Sequence, residues 1–260
     1  MVRALGVIPA RFASTRFPGK PLASLGDRTL IEQVVERARA SRRLERVIVA
    51  TDDERIASVC RSANAEVVLT SPDHPSGTDR VAEAVRNAGE SFDVVVNVQG
   101  DEPFVTPTSL DRLVSAFDES PATEIATLAE PLERIDELLD RNVVKVVTTL
   151  DGRALYFSRS PIPYYAGDGA SDHPAEALKS RPGGLSGFLK HQGIYAYRTG
   201  TLFALTTMPP SPLERDESLE QLRALQAGLH IRVLVSDFRS VGVDTPADLE
   251  RAAALLGESH

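Results

Sequence analysis

Four short apolar runs, each followed by an amphipathic stretch, constrain this chain more than any other feature. They are residues 5–8, Val47-Ile48-Val49-Ala50, Val67-Val68-Leu69 and Val94-Val95-Val96-Asn97-Val98. Between them Leu30, Ile31, Val34, Val35 and Ala38 recur at helical spacing, a polar helix runs up to Arg61, and Val81, Val85 and Ala88 mark another helix. Strands without polar alternation belong in a parallel sheet buried on both faces. Right-handed crossovers then predict an α/β fold: an open, doubly wound, mostly parallel (Rossmann-like) sheet with helices on both faces.

The middle of the chain reads differently. Residues 125–129, 143–150 and 154–158 look like strands, with one short helical candidate at 133–139. Residues 164–187 hold Gly167, Gly169, Pro174, Pro182, Gly183, Gly184 and Gly187, the composition of a long mobile loop. It reads as plain disorder or, functionally, as a lid or an interface arm, which would make this a smaller antiparallel lid or dimerisation region. A strand at 194–197, one helix over 212–228 ended by Gly228, and a strand at 231–235 follow. Thr245-Pro246-Ala247-Asp248 starts the last helix: Thr245 can cap, Pro246 fits the first helical position, and Asp248 completes a capping box.

A net charge of −8 argues against a general nucleic-acid or membrane-surface binder, yet leaves room for a local basic cluster that takes an anionic small molecule. No apolar run approaches the ~18 residues of a membrane span. Pro9 and Arg11 interrupt the N-terminus too early for a signal peptide, so a cytoplasmic location is expected. Cys60 is the single cysteine, which excludes an intrachain disulfide, and it reads as a small buried hydrophobe on a helix.

The chemistry gathers where strands end. Residues 9–22 follow the first strand and combine small residues with Arg11, Arg16 and Lys20. Backbone amides, bidentate arginines and a lysine point charge suit a polyphosphate. A Walker loop is excluded because Pro21 follows Lys20, and no Gly-x-Gly-x-x-Gly is present, which disfavours a nicotinamide enzyme. Asn97-Val98-Gln99-Gly100-Asp101-Glu102-Pro103 and Gly242-Val243-Asp244-Thr245-Pro246 each place an aspartate beyond a strand-like segment. Asp101 and Asp244 could converge on one Mg²⁺, or serve as turn and cap residues. Ser76-Gly77-Thr78 opens a helix and offers donors to a base or ribose, with Arg80 available to an anion; the plainer reading is a helix cap. Glu217, Glu220 and Gln221 fall on one helix face, which is either solvated or binds a polyhydroxylated ligand.

Taken in order, residues 9–22, Asp73-His-Pro-Ser-Gly-Thr-Asp-Arg80, residues 97–103, Tyr156-Phe-Ser-Arg159, His191-Gln-Gly-Ile-Tyr-Ala-Tyr-Arg198, Ser211-Pro-Leu-Glu214, Leu219-Glu-Gln-Leu-Arg223 and residues 242–246 resemble the CMP-KDO synthetases, the 3-deoxy-manno-octulosonate cytidylyltransferases. The likeness runs through nearly the whole chain; residues 166–187 depart from it.

The resemblance implies one nucleotidyltransferase domain over 1–260, with residues 120–200 as an inserted lid and dimerisation subregion. It implies Mg²⁺-dependent transfer of CMP from CTP to KDO, with release of pyrophosphate, by a cytoplasmic homodimer serving lipopolysaccharide synthesis. Lys20, Arg11, Asp101 and Asp244 would form the catalytic set, the two aspartates as metal ligands. Ala10, Arg11, Lys20, Ser76, Gly77 and Arg80 would hold CTP. Arg80, Gln99, Arg159, His191, Glu220 and Gln221 would hold the sugar, with Arg159 or Arg80 on its carboxylate. No obligatory general base is implied, because a metal can acidify the attacking hydroxyl. The rival readings are transfer to a related acid sugar, such as 8-amino-KDO or a sialic acid, and a silent nucleotide-sensing module.

Overall fold

The computed structural model describes residues 1–13, 16–166, 176, 178, 181–236 and 238–257. Much of the expected loop at 164–187, and Ser14 and Thr15 in the basic segment, lie outside the described residues.

The first half alternates as the sequence predicts: β1 (Ala4–Ala10), α1 (Leu30–Arg39), β4 (Arg46–Thr51), α2 (Glu54–Ser62), β5 (Glu66–Leu69), α3 (Gly77–Asn87) and β6 (Val94–Asn97). A small hairpin, β2 (Ser24–Leu25) and β3 (Arg28–Thr29), precedes α1. The second half adds α4 (Pro107–Glu119), β7 (Ile125–Pro131), α5 (Ile135–Leu139), β8 (Lys145–Thr148), β9 (Ala154–Ser158) and β10 (Leu189–Arg198). It closes with α6 (Thr199–Thr207), α7 (Pro212–Glu217), α8 (Gln221–Gln226), β11 (Ile231–Val235) and α9 (Pro246–Gly257).

The main sheet runs β11-β7-β10-β6-β1-β4-β5. Every pairing along it is parallel except those of β10, which runs against both β6 and β7. Successive side chains go to opposite faces, so one apolar layer takes Ile8, Val94 and Val96 against Ile31, Val34, Ile56, Leu110 and Leu113. The other takes Leu5, Val7 and Val95 against Val81, Val85, Leu202 and Leu222. Helices cover both faces, which is why the β1 and β6 runs carry no polar alternation. Residues 120–200 supply β7 and β10 to the main sheet itself, whereas β8 and β9 stand off it as a hairpin paired through β10. The hairpin's turn folds back onto β11, where Val233 N–H donates to the Gly152 carbonyl at 2.8 Å.

Two expectations change, and one element is added. The single helix over 212–228 is two, because Ser218 adopts a left-handed conformation (φ 52°) between α7 and α8. The segment before Asp244 is not a strand; it is hooked to the site by Val243 N–H, which donates to the Asp101 carbonyl at 2.9 Å. Helix α6 was not anticipated from the sequence. The predicted capping box at the last helix is present: Thr245 N–H donates to Asp248 Oδ2 at 2.7 Å, and Asp248 N–H to Thr245 Oγ1 at 3.3 Å.

Candidate active site

The carboxyl ends of β1 and β6 meet at a close approach that only glycine permits. A Cβ on Gly100 would lie 2.9 Å from the Pro9 carbonyl oxygen. This contact draws the loop after β6, with Asp101, against the loop after β1. There Gly19 takes φ 73° and its N–H donates to the Phe12 carbonyl at 2.9 Å, closing the basic loop. The 3₁₀ turn Lys20–Leu22 starts at once and carries Lys20 back over the sheet edge. Its Nζ donates to Asp101 Oδ2 at 2.8 Å and to Asp244 Oδ1 at 3.2 Å, and Arg16 reaches the other Asp244 oxygen at 3.1 Å. Two carboxylates far apart in the chain thus share one ammonium.

Around this point an open cleft encloses about 1010 Å³, counting space continuous with solvent. Ala10, Arg11, Lys20, Ser76, Gly77, Arg80, Gln99, Asp101 and Asp244 all line it. Ser76 caps α3, accepting from Asp79 N–H, so the helix-cap reading holds, and Ser76 and Gly77 also line the cleft. His74 contacts Glu83, whose same oxygen accepts Ser71 N–H at 2.9 Å, which ties the loop before α3 to the helix. A second cavity shares Gly77, Gln99 and Asp101 with the first and adds Asn97, His191, Tyr195, Glu220 and Gln221.

A sequence model of the family described as Cytidylyltransferase matches residues 5–231. The chain belongs to the cytidylyltransferase family. It is 49% identical over 257 residues to the 3-deoxy-manno-octulosonate cytidylyltransferase of Anaeromyxobacter sp. (strain Fw109-5), with 98% of each chain covered. It is 45% identical over 257 residues to the protein of that name from Solibacter usitatus (strain Ellin6076), covering 99% of this chain and 96% of that one. Among solved structures it is similar to CMP:2-keto-3-deoxy-manno-octonic acid synthetase complexed with CTP, at 38% identity and TM-score 0.88, covering 99% of this chain and 100% of that chain.

Within this cytidylyltransferase the predicted residues divide. Arg80 lines the cleft but is only 4% exposed, and its guanidinium donates to Thr70 Oγ1 at 2.6 Å and Asp52 Oδ2 at 3.0 Å. Gln99 lines both cavities while its Nε2 donates to the Gly193 carbonyl at 3.1 Å. His191 lies 2.9 Å from Thr127 Oγ1 and packs edge-on against Phe157. Burial pushes its imidazole down to about 3, so it is neutral at physiological pH. Glu220 accepts from Thr78, which fixes it at the cavity wall.

Arg159 lines neither cavity. Its Nε donates to the Glu217 carbonyl at 2.7 Å and its terminal nitrogens to the carbonyls of Arg141 and Ser218. In the sequence it reads as a sugar contact; in the fold it pins the Ser218 break. Glu217 is likewise turned away from Glu220, because the break rotates α7 relative to α8. It accepts from Ser158 Oγ at 2.6 Å and Arg159 N–H at 2.9 Å.

Sequence reasoning passed over Asn97, Glu102 and Tyr195. Glu102 is buried and its carboxyl is pushed up to about 8, by burial first and by the neighbouring Asp101 second. Its Oε1 accepts from Ser240 Oγ at 2.6 Å. The signal for Asn97 was available, since it is a polar residue ending a run of three valines. Cys60 behaves as expected: burial raises its thiol to about 11, which leaves it unreactive.

Proposed function

We propose that this chain transfers CMP from CTP to the anomeric hydroxyl of KDO, giving CMP-KDO, the activated sugar for lipopolysaccharide, and pyrophosphate. The observation that carries the reading is the convergence of Lys20, Asp101 and Asp244 on one point of a cleft rimmed by Arg11 and Arg16. The hydroxyl oxygen attacks the α-phosphorus as the bond to the pyrophosphate oxygen breaks in line, and the hydroxyl proton passes to solvent. Such a reaction is governed by charge and positioning. Arg11, Arg16 and Lys20 offset the negative charge of the triphosphate and of the departing pyrophosphate. Ser76 and Gly77, at the start of α3, offer donors to the nucleoside. Gln99, Glu220 and Gln221 orient the sugar, and neutral His191 acts through hydrogen bonding rather than proton transfer.

Asp101 and Asp244 suit Mg²⁺ by donor chemistry: hard carboxylate oxygens gathered at one cation-binding point. No group of three or more His, Cys, Asp or Glu side chains among the described residues could hold a metal. A Mg²⁺ held by these two carboxylates would draw its other ligands from substrate and water, as is usual for this ion. When bound there, Mg²⁺ supplies charge neutralisation and lowers the pKa of the attacking hydroxyl. We further propose a cytoplasmic homodimer. No helix among the described residues is long and apolar enough to cross a membrane.

The test is incubation of the purified chain with CTP, Mg²⁺ and KDO, followed by mass detection of CMP-KDO and assay of pyrophosphate. Stoichiometric formation of both products over many turnovers is expected. Pyrophosphate release that does not depend on KDO, or that follows another acid sugar instead, would overturn the assignment.

A further inference from the structure

The end of β6 carries a polar group that the fold does not explain. Val94, Val95 and Val96 are fully buried, and Asn97 continues the strand at 2% exposure. Its Oδ1 is buried with no hydrogen-bond partner among the described residues. An unpaired buried amide oxygen costs ~1–3 kcal/mol. Thr127, on β7 one strand beyond β10 and equally buried, has its hydroxyl bonded to the Ile194 carbonyl at 2.8 Å. Glu102, Glu130 and Gln192 each bury an oxygen without a hydrogen-bond partner as well, but Glu130 and Gln192 lie outside the cavity that Asn97 lines.

Its surroundings are built to admit a ligand. Asn97 lines the cavity that Gln99, His191, Glu220 and Gln221 also line. Its cross-strand neighbour is Tyr195 of β10, so the two share one face of the sheet. Beside them β10 breaks register between Gln192 and Tyr195, and a Cβ on Gly193 would meet nothing within 4 Å. Bulges of this kind recur next to binding sites, where they terminate pairing and redirect side chains. The same cavity is lined by Asp101 and Glu220, which makes a carboxylate an unsuitable occupant beside Asn97. A neutral hydroxyl is suitable, because it supplies the proton that Oδ1 lacks.

We infer that Asn97 is a specificity-determining contact of the acceptor sugar, its Oδ1 accepting a hydrogen bond from a sugar hydroxyl. The inference rests on the transferase reading above and adds an orientation to it. The hydroxyl-rich side of the sugar lies over β6 and β10, and its carboxylate lies away from them, toward the cations of the neighbouring cleft.

The experiment measures steady-state kinetics with CTP, Mg²⁺ and KDO for the wild-type chain, Asn97→Ala and Asn97→Leu, together with thermal unfolding. Asn97→Ala is expected to raise KM for KDO about tenfold, the worth of one neutral hydrogen bond, while KM for CTP stays within about twofold. Asn97→Leu replaces the unpaired amide by an apolar group of similar shape, so its Tm should equal or exceed that of the wild type. An unchanged KM for KDO in Asn97→Ala overturns the inference. So does a parallel rise of both KM values with a lowered Tm in both variants, which is the mark of a structural asparagine. No turnover of KDO by the wild type would overturn the transferase reading and this inference together; turnover without the KM split overturns this inference alone.

Discussion

The ammonium of Lys20 lies 2.8 Å from the carboxylate of Asp101, although 81 residues separate them in the sequence. The Lys20 side chain is only 13% exposed, so this is not the weak, screened pairing of a protein surface. Asp101→Asn keeps the shape of the side chain and removes its charge. We expect a folded protein whose kcat falls by about a hundredfold or more, the usual loss when one electrostatic contact to a transition state is deleted. Pyrophosphate release at millimolar Mg²⁺, beside a circular-dichroism spectrum, measures this; near-normal turnover would contradict the metal role.

Lys20→Ala removes the cation that spans Asp101 and Asp244. Its effect should fall on kcat, on the order of a hundredfold, with KM for KDO little changed, because the lysine serves the triphosphate and not the sugar. Separate titrations of CTP and KDO distinguish the two. An unchanged kcat would remove Lys20 from the transferring machinery.

The desolvated imidazole of His191 predicts a dependence on acid. Its folded-state pKa, about 3, lies below the ordinary 6.5. Between those values the unfolded chain binds the extra proton, so stability falls as pH drops through that window. One proton corresponds to at most about 1.4 kcal/mol per pH unit. Urea midpoints from pH 7 to 4 should show a shallower decline for His191→Asn than for the wild type. Parallel curves would mean that the imidazole already titrates in the folded protein.

Glu102 predicts the opposite slope. Its folded-state pKa, about 8, lies above the ordinary 4.5, so its stabilising share is complete at low pH and is lost as pH rises toward 8. Glu102→Gln keeps an acceptor for Ser240 and carries no charge. Relative to that variant, the wild type should lose stability between about pH 5 and 8 and no more beyond. A pH-independent difference between their unfolding free energies would show that Glu102 is ionised throughout.

Ser218 holds a left-handed conformation at the break between α7 and α8. Ser218→Gly is expected to be neutral or slightly stabilising, since glycine adopts this conformation freely. Ser218→Val should destabilise by about 1–2 kcal/mol and raise KM for KDO by tilting Glu220 and Gln221 away from the cavity. Equal melting temperatures for the two variants would refute the strained break.

The parallel core was legible because buried strands and amphipathic helices have different periods, and the box at Thr245 and Asp248 because its chemistry is local. The reversal of β10 was not legible, since strand direction leaves no mark on hydrophobic pattern. The break at Ser218 was hidden because serine is an unusual choice for that conformation. Arg159 reads as a ligand contact in a motif and becomes a clamp on carbonyls only when the helix it clamps has broken. The cationic loop and Asp101 could be named in advance as residues beyond strand ends, and Asp244 by its place before the last helix; their meeting depends on backbone contacts, Gly100 against Pro9 and Val243 on Asp101, that no spacing rule encodes.

The docked turn at Gly152 bears on how copies of this chain meet in solution. β11 forms one rim of the main sheet, and a bare rim invites a foreign strand to pair with it. Val233 has its amide engaged by Gly152, and Arg153 bridges to Arg232 beside it. The rim thus lacks the unbroken row of free amides that a fibril needs as a template, and at high concentration the molecule is insulated against growth from that side.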